Sequence, residues 1–475
     1  MSHLLRPDRV PVLGLLLLIS SCAQPTTEDQ LPSREELLAG ISEYDVVIAL
    51  LDAAAASHFG FMGYERDTTP SIDALAAESI VFERAYAQAS ATPLSVVSML
   101  TARYPTSADA PSLRGEVVFE VPEEAQLLPE LLGELFPARF GASANQWISR
   151  RFGFDQGFTE FREVWDEAQV PDPTAPRARR VVDVARRWFD AHGDQRRFSY
   201  LHFLEPHEPY SPPEPWFDQF DPEAGRRLDG SRRSLAALKT RRPGPKISRN
   251  VVALYDGNLP YVDAELGSLI DSLKDEGRWD RTVFVLVADH GEAFWQHGAW
   301  GHGRHVYEEY VRVPFLLRIP GFPGLAGTRI EDPVELVDLV PTILDLFDRS
   351  ADWIDPEGNS LLGYLASDMA PPPPSPAFFR NSTPQWLELG ASDGRFKWIL
   401  NPGAQTEQLY DLRQDPEEQT DLVETRSVPD EARGLLDALV EWLQRPPSDA
   451  APTLIGVDSL DADLQEQLKS LGYFH

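Results

Sequence analysis

The chain is poor in basic residues and in cysteine, and it has no long apolar run. Its 475 residues carry 43 Lys and Arg against 75 Asp and Glu, a net charge of −32. Such a field repels a polyanion at long range, which excludes nucleic acid as a partner. A small anionic substrate stays open, because a bound cation reverses the field locally. With a single cysteine, Cys22, disulfide pairing plays no part in the fold. The apolar run near the start, Val10 to Ile19, is too short to span a bilayer comfortably. There is no internal repeat. What is present is ordinary for a globular protein: 42% hydrophobic residues, and a length that suits one large α/β domain with a smaller unit.

The setting of Cys22 is informative. Arg6 and Arg9 precede the apolar run, and Ser20 and Ser21 follow it directly before the cysteine. This is the layout of a secretory signal, and its Ile-Ser-Ser-Cys ending resembles a bacterial lipoprotein box. Residues 1–22 are therefore expected to be a lipoprotein signal with Cys22 as the lipidated residue, the alternative being an ordinary signal peptide. Residues 23–43, polar at first with two prolines, are expected to be a tether. The expected location is extracytoplasmic and membrane-anchored through Cys22, on the periplasmic side or the cell surface. Ala23 lacks the aspartate that retains many lipoproteins at the inner membrane.

Four short runs, Tyr44 to Asp52, Phe198 to His207, Arg281 to His290 and Val311 to Pro320, are apolar almost throughout. Such runs suit strands buried on both faces of a parallel sheet. Between them lie stretches with helical spacing, "PSIDALAAESIVF", "PRARRVVDVARRWFDAH" and "VVALYDGNLPYVDAELGSLIDSLKDEG". The alternation predicts a doubly wound, mostly parallel α/β sheet flanked by helices over residues 44–368, with ligands gathered at the carboxyl ends of its strands. "MAPPPPSPAFF", with five prolines, marks a boundary. Beyond it, residues 369–475 are expected to form a small antiparallel subdomain, with strands in "GRFKWILNP" and "EQLYDLRQDPEEQTDLV" and a covering helix in "PDEARGLLDALVEWLQR".

Chemistry concentrates at the expected strand ends. Asp52, His207, Asp289 and His290 all fall there, and four of the ten histidines, His290, His297, His302 and His305, lie within one stretch. Carboxylates and an imidazole so placed can bind a divalent cation. Read alone, Asp52 also fits a turn carboxylate, Asp289–His290 a loop cap, and His207 a turn histidine packed between prolines.

In order and spacing these segments resemble the sulfatase family of the alkaline phosphatase superfamily, from Tyr44 over nearly the whole chain. "VVIALLDAAAASHFGFMGYERDTTPSIDALAAESIVFERAYAQA" is similar to its opening strand and first helix, and "LEPHEPYSPP" to its substrate-histidine segment. "VADHGEAFWQHGAWGHGRHVYEEYVRVPF" is similar to its second metal strand, and "EQLYDLRQDPEEQTDL" to its terminal sheet. The resemblance implies the fold above and a divalent metal ion held by Asp52, Thr92, Asp289 and His290. Ala53 stands where the family often has a second acid. A nitrogen ligand at His290 favours zinc or manganese, with calcium possible.

Sulfatases carry Cys or Ser, matured to formylglycine, in C/S-x-P-x-R. Here "ASATPLSVVSMLTARYP" places Thr92 at the nucleophile position, Leu94 at the proline and Val96 at the arginine. Threonine oxidises to a ketone, so that maturation is absent; helix N-capping is its plainer alternative. A threonine nucleophile suits phosphoryl transfer, because water clears a phospho-enzyme more readily than a sulfated threonine. The resemblance assigns His207 to the ester oxygens or leaving group, and His302 to the transferred group. His297 and His305 are expected to be exposed, with a place behind the ligands as the alternative; Asp263 is expected to be a helix-face residue, and Asn145 part of a turn, with a contact to the substrate as its alternative.

The sequence therefore implies a metal-dependent hydrolase of a sulfate or phosphate ester, phosphoester favoured, acting on a small-molecule, glycan or lipid ester. The rivals are a phosphoethanolamine-type phosphotransferase and a non-catalytic, surface-displayed binding protein of the same fold. Ala53, Leu94 and Val96 favour the latter.

Overall fold

The computed structural model describes residues 30–105, 117–223, 228–236, 238, 242–350, 354–383, 386–445 and 453–456. The expected signal and Cys22 lie outside the described residues. Among the described residues nine strands form the main sheet. Across it they run Arg312–Val313, Ile80–Tyr86, Phe315–Arg318, Thr282–Ala288, Asp45–Asp52, Arg197–Pro206, Ala138–Ser143 and Glu160–Glu163, with Arg329–Glu335 also pairing on Ile80–Tyr86. The central strand Asp45–Asp52 is buried at every position and parallel to both neighbours. Helices flank this sheet, as the alternating pattern predicts, and the fold is the expected mostly parallel α/β architecture.

Parallel pairing sets the site. Leu51 is level with Ala288, so Asp52 and Asp289 leave the sheet side by side. Pairing with Arg197–Pro206 shifts between Leu51 and Asp52, and the chain turns at once through Ala53, whose φ of 58° is left-handed. An alanine holds that conformation only when its surroundings impose it. Here the Tyr255 hydroxyl donates to the Ala53 carbonyl (2.8 Å) and accepts from the Ala55 amide (3.1 Å).

Several elements differ from expectation. "PSIDALAAESIVF" is helical only over Pro70–Ala77, and Ile80 opens a strand, because its apolar tail enters the sheet. The run Val311–Pro320 forms two short strands, Arg312–Val313 and Phe315–Arg318, either side of Pro314, and both pair antiparallel. Proline lacks the donor that a continuous ladder needs. Part of the expected tether is folded: Arg34–Ile41 is a helix with a Ser33–Glu36 capping box, and it buries Leu37 and Ile41 in the main core. The polar residues there face outward while two apolar ones anchor the turn.

The antiparallel C-terminal sheet is present as Ala377–Thr383, Trp386–Ser392, Phe396–Asn401 and Thr406–Asp411. Of "EQLYDLRQDPEEQTDLV" only the first five residues, up to Asp411, are strand. Helix Arg433–Leu443 covers the sheet with Leu435, Leu439 and Trp442, and Trp442 stacks on Phe378 at 5.2 Å. This sheet shares a buried cluster with the main domain, Phe379, Ile399 and Tyr410 packing with Tyr86, Val306 and Tyr310.

Candidate metal centre and active site

Helix Thr92–Thr101 is buried along its whole length and begins at the same edge as Asp52 and Asp289. Its N-cap is Ala91, with no side-chain cap bond. Thr92 is the first helical residue, so its hydroxyl is not spent on capping. Instead Thr92 Oγ1 lies 3.2 Å from His290 Nε2 and 3.4 Å from Asp52 Oδ1. Ser95, one turn on, donates to the Asp289 carbonyl at 2.5 Å.

Asp52, Asp289 and His290 are each fully buried and converge within 4.8 Å of one another. Their free atoms match a cation's needs. The His290 Nδ1–H donates to the Gly291 carbonyl (2.8 Å), which leaves Nε2 as a lone pair, 3.5 Å from Asp289 Oδ2 and 3.8 Å from Asp52 Oδ1. Such an outer hydrogen bond is how proteins fix the tautomer of a metal-ligating histidine. Asp289 Oδ1 accepts from the Ala53 and His290 amides, while its Oδ2 is buried with no partner. An unpartnered carboxylate oxygen is costly unless a cation meets it. One nitrogen and three oxygens, from Asp52, Asp289, His290 and Thr92, therefore fit a divalent ion.

Asp52 is oriented by Asn145 and by His202, and only His202 was not singled out in the sequence. Asn145 Nδ2 donates to Asp52 Oδ2 at 2.5 Å, and His202 Nε2 donates to the same oxygen at 3.1 Å. The Tyr200 hydroxyl donates to His202 Nδ1 (2.8 Å), which fixes that tautomer. Asn145, expected as part of a turn, thus also touches the site. His202 was hidden inside an apolar strand, where only its pairing beside Leu50 brings it to Asp52. Burial works to raise the Asp52 carboxyl, yet His207, His202 and His290 outweigh it and hold it below the usual carboxylate range. At Asp289 burial and the neighbouring Asp52 charge both push upward.

Two further imidazoles complete the site. His207 Nδ1–H donates to the Glu208 carbonyl (2.7 Å), and its Nε2 is buried without a partner. Burial lowers it to about 4, so it is neutral at pH 7. The His302 ring lies 4.8 Å from that of His207 and 4.5 Å from that of His290. Burial opposes its protonation, but Glu292, 3.0 Å from His302 Nδ1, raises it to about 9. All six expected site residues therefore meet in one place.

The other two histidines are neither in this cluster nor exposed, which corrects the expectation. His297 stacks on Tyr307 at 3.7 Å and bonds Glu309 (2.8 Å) and the Glu418 carbonyl (2.9 Å). His305 bonds Glu388 of the C-terminal sheet (3.2 Å). Both tie the histidine loop to its neighbours. Asp263 is likewise buried: it accepts from the Ser71 and Ile72 amides, capping helix Pro70–Ala77.

Fold and site together define an α/β protein with a buried cluster of candidate cation ligands beside a threonine hydroxyl. The chain belongs to the sulfatase family, whose model, Sulfatase, matches residues 44–349. An arylsulfatase of Clostridium perfringens is 23% identical over 326 residues, 64% of this chain and 62% of its own length. A choline-sulfatase of Rhizobium meliloti is 26% identical over 342 residues, 66% of this chain and 64% of its own. The chain thus spans under two thirds of these curated relatives. Among solved structures, the phosphonate monoester hydrolase of Agrobacterium radiobacter superposes with a TM-score of 0.62 at 18% identity, covering 87% of this chain and 100% of that one. A structure in complex with its substrate D-glucosamine-2-N,6-O-disulfate gives 0.67 at 19% identity, covering 85% and 98%.

Proposed function

We propose that the protein is a metal-dependent ester hydrolase that uses Thr92 as its nucleophile and prefers phosphoesters or phosphonate esters to sulfate esters. The observation that carries this reading is the Thr92 hydroxyl, released from capping and set 3.2 Å from His290 Nε2 and 3.4 Å from Asp52 Oδ1. Asp52, Thr92, Asp289 and His290 would hold the ion, zinc or manganese by the chemistry of the nitrogen donor. Bound there, the ion supplies a more acidic Thr92 hydroxyl and offsets charge on the transferred group. Thr92 Oγ1, its proton released to solvent, bonds to phosphorus as the bond to the alcohol oxygen breaks, and that oxygen takes a proton from an imidazole. His302, cationic at neutral pH beside Glu292, suits the donor, and neutral His207, whose Nδ1–H is spent on the Glu208 carbonyl, offers its Nε2 lone pair to the proton of the attacking water. Water then hydrolyses the phosphothreonine and restores Thr92.

The test compares an aryl phosphodiester, an aryl phosphonate ester and an aryl sulfate on metal-loaded protein. The sulfate is expected to turn over at least about 100-fold more slowly, ~2.7 kcal/mol in barrier. Thr92→Ala should abolish the faster reaction, and Thr92→Ser should retain much of it. Faster sulfate cleavage overturns the substrate preference. No turnover with zinc, manganese, magnesium or calcium favours a binding protein of this fold, and transfer to a sugar hydroxyl rather than water favours the phosphotransferase reading.

We also propose that the protein is exported and anchored through acyl chains on Cys22, more than one being needed for stable attachment. Cys22→Ser should move it from the membrane fraction to the soluble one. A wild-type protein that is wholly soluble removes this proposal.

A further inference from the structure

Glu292 and Tyr210 touch none of the reacting atoms in the chemistry above, yet both are buried beside it. Glu292 is 1% exposed and has both oxygens engaged. Oε1 lies 3.0 Å from His302 Nδ1, and Oε2 accepts from the Tyr210 hydroxyl at 2.8 Å. Tyr210 is itself fully buried, with its ring against Tyr255 (5.6 Å) and Phe294 (6.3 Å). It follows His207 by three residues, so the hydrogen-bonded chain His302–Glu292–Tyr210 links the loops that carry the two imidazoles.

The backbone around His302 explains why such a link is needed. Gly301 and Gly303 have φ of +90° and +83°, a region that suits glycine, so neither neighbour of His302 carries a side chain to brace its ring. A ring on such a loop takes its orientation from side-chain partners. We infer that Glu292 and Tyr210 are positioning residues that hold the His302 ring so that Nε2 faces the ester, Tyr210 acting on His302 through Glu292. This inference rests on the reading of His302 as a group that meets the substrate.

Tyr210→Phe removes one hydroxyl and keeps the packed ring. It should lower kcat about 10-fold with KM changed less than about 2-fold, and Glu292→Gln should lower kcat about 100-fold. Bound metal should be unchanged in both. In a His302→Ala background each substitution should cost less than about 2-fold, the mark of residues acting through one partner. The same factors in both backgrounds would overturn the inference. A turnover-independent arm is the crystal structure of each variant. The His302 ring should be rotated or split between two positions, and a ring left in place overturns the positioning role. If the wild-type protein cleaves no ester, the functional reading fails, while the ring's placement in the variants still decides this one.

Discussion

Strand Asp45–Asp52 carries a buried carboxylate at each end, and the two ends are finished differently. At the amino end Asp45 Oδ2 meets two guanidiniums, Arg197 at 3.0 Å and Arg278 at 3.3 Å. At the carboxyl end Asp52 meets imidazoles and an amide, and beside it Asp289 Oδ2 has no partner. One end closes its charge with the chain's own cations. The other stops one cation short. A second closed cluster makes the same point, since the fully buried Lys397 ammonium lies 2.9 Å from Glu308 and 3.2 Å from Glu418. At these two closed clusters the fold supplies a lysine or arginine for its buried acids, and at Asp52 and Asp289 it supplies none and the carboxylates surround a hydroxyl.

The largest expected effect breaks the open end. Asp289→Ala should remove bound metal, measured by elemental analysis, and lower kcat/KM at least about 1000-fold, ~4 kcal/mol, with the circular dichroism spectrum unchanged. Full metal occupancy in Asp52→Ala/Asp289→Ala would place the ion elsewhere.

The closed end should respond in the opposite sense. Asp45→Asn leaves two buried guanidiniums short of a carboxylate, so denaturant unfolding should show a loss of ~3–5 kcal/mol with metal stoichiometry and KM unaltered. Loss of metal in that variant would erase the distinction between the ends.

A smaller effect sharpens the comparison without mutation. A ligand present at about 100 times its Kd stabilises the folded state by ~2.7 kcal/mol. Chelation should therefore lower the melting temperature of the wild type and leave that of Asp289→Ala unmoved.

The smallest effect concerns a third way to bury acids. Glu335 and Asp338 share a turn that packs on helix Thr92–Thr101; burial raises both, and the Asp338 charge adds to the rise at Glu335, to about 8 for Glu335 and about 7 for Asp338. Their carboxyls accept from the Tyr104 hydroxyl (2.9 Å), the Phe378 amide (2.8 Å) and the Asn359 amide (2.7 Å). The folded chain keeps protons there that the unfolded chain releases near pH 4. Their stabilisation is thus complete below that value and is lost as pH rises through 7 to 8. Unfolding free energy from pH 5 to 9 should fall less steeply in Glu335→Gln than in the wild type, by on the order of 1–2 kcal/mol. Parallel curves would mean that the pair is already ionised.

Legibility in the sequence followed a physical division. Asp52, Asp289 and His290 were readable because each ends an apolar strand, and parallel pairing then brings strand ends together. Thr92 was readable only by spacing to Thr101, and the structure removes only its capping alternative, since Ala91 is the N-cap. His202 and Glu292 were missed for opposite reasons. His202 sits inside a run whose period signals only burial, and Glu292 looked like one more charge in an acidic loop. Their roles depend on partners about 150 and ten residues away. The helix inside the expected tether was missed because Leu37 and Ile41 are too few to register as a pattern, yet two anchors suffice for a capped helix.

Helix Pro245–Asp275 gives the site a mechanical property. Tyr255 grips the turn after Asp52, Asp256 binds His58 (2.6 Å) and Tyr64 (2.7 Å) just beyond it, Tyr261 accepts from the Arg179 amide (3.1 Å), and Asp263 caps helix Pro70–Ala77. These grips lie within nine consecutive residues, so the metal turn cannot open alone. Freeing it means lifting a helix that three other segments also hold. The amides of Ala53 and Ala55 should therefore exchange with deuterium only as fast as the whole domain unfolds.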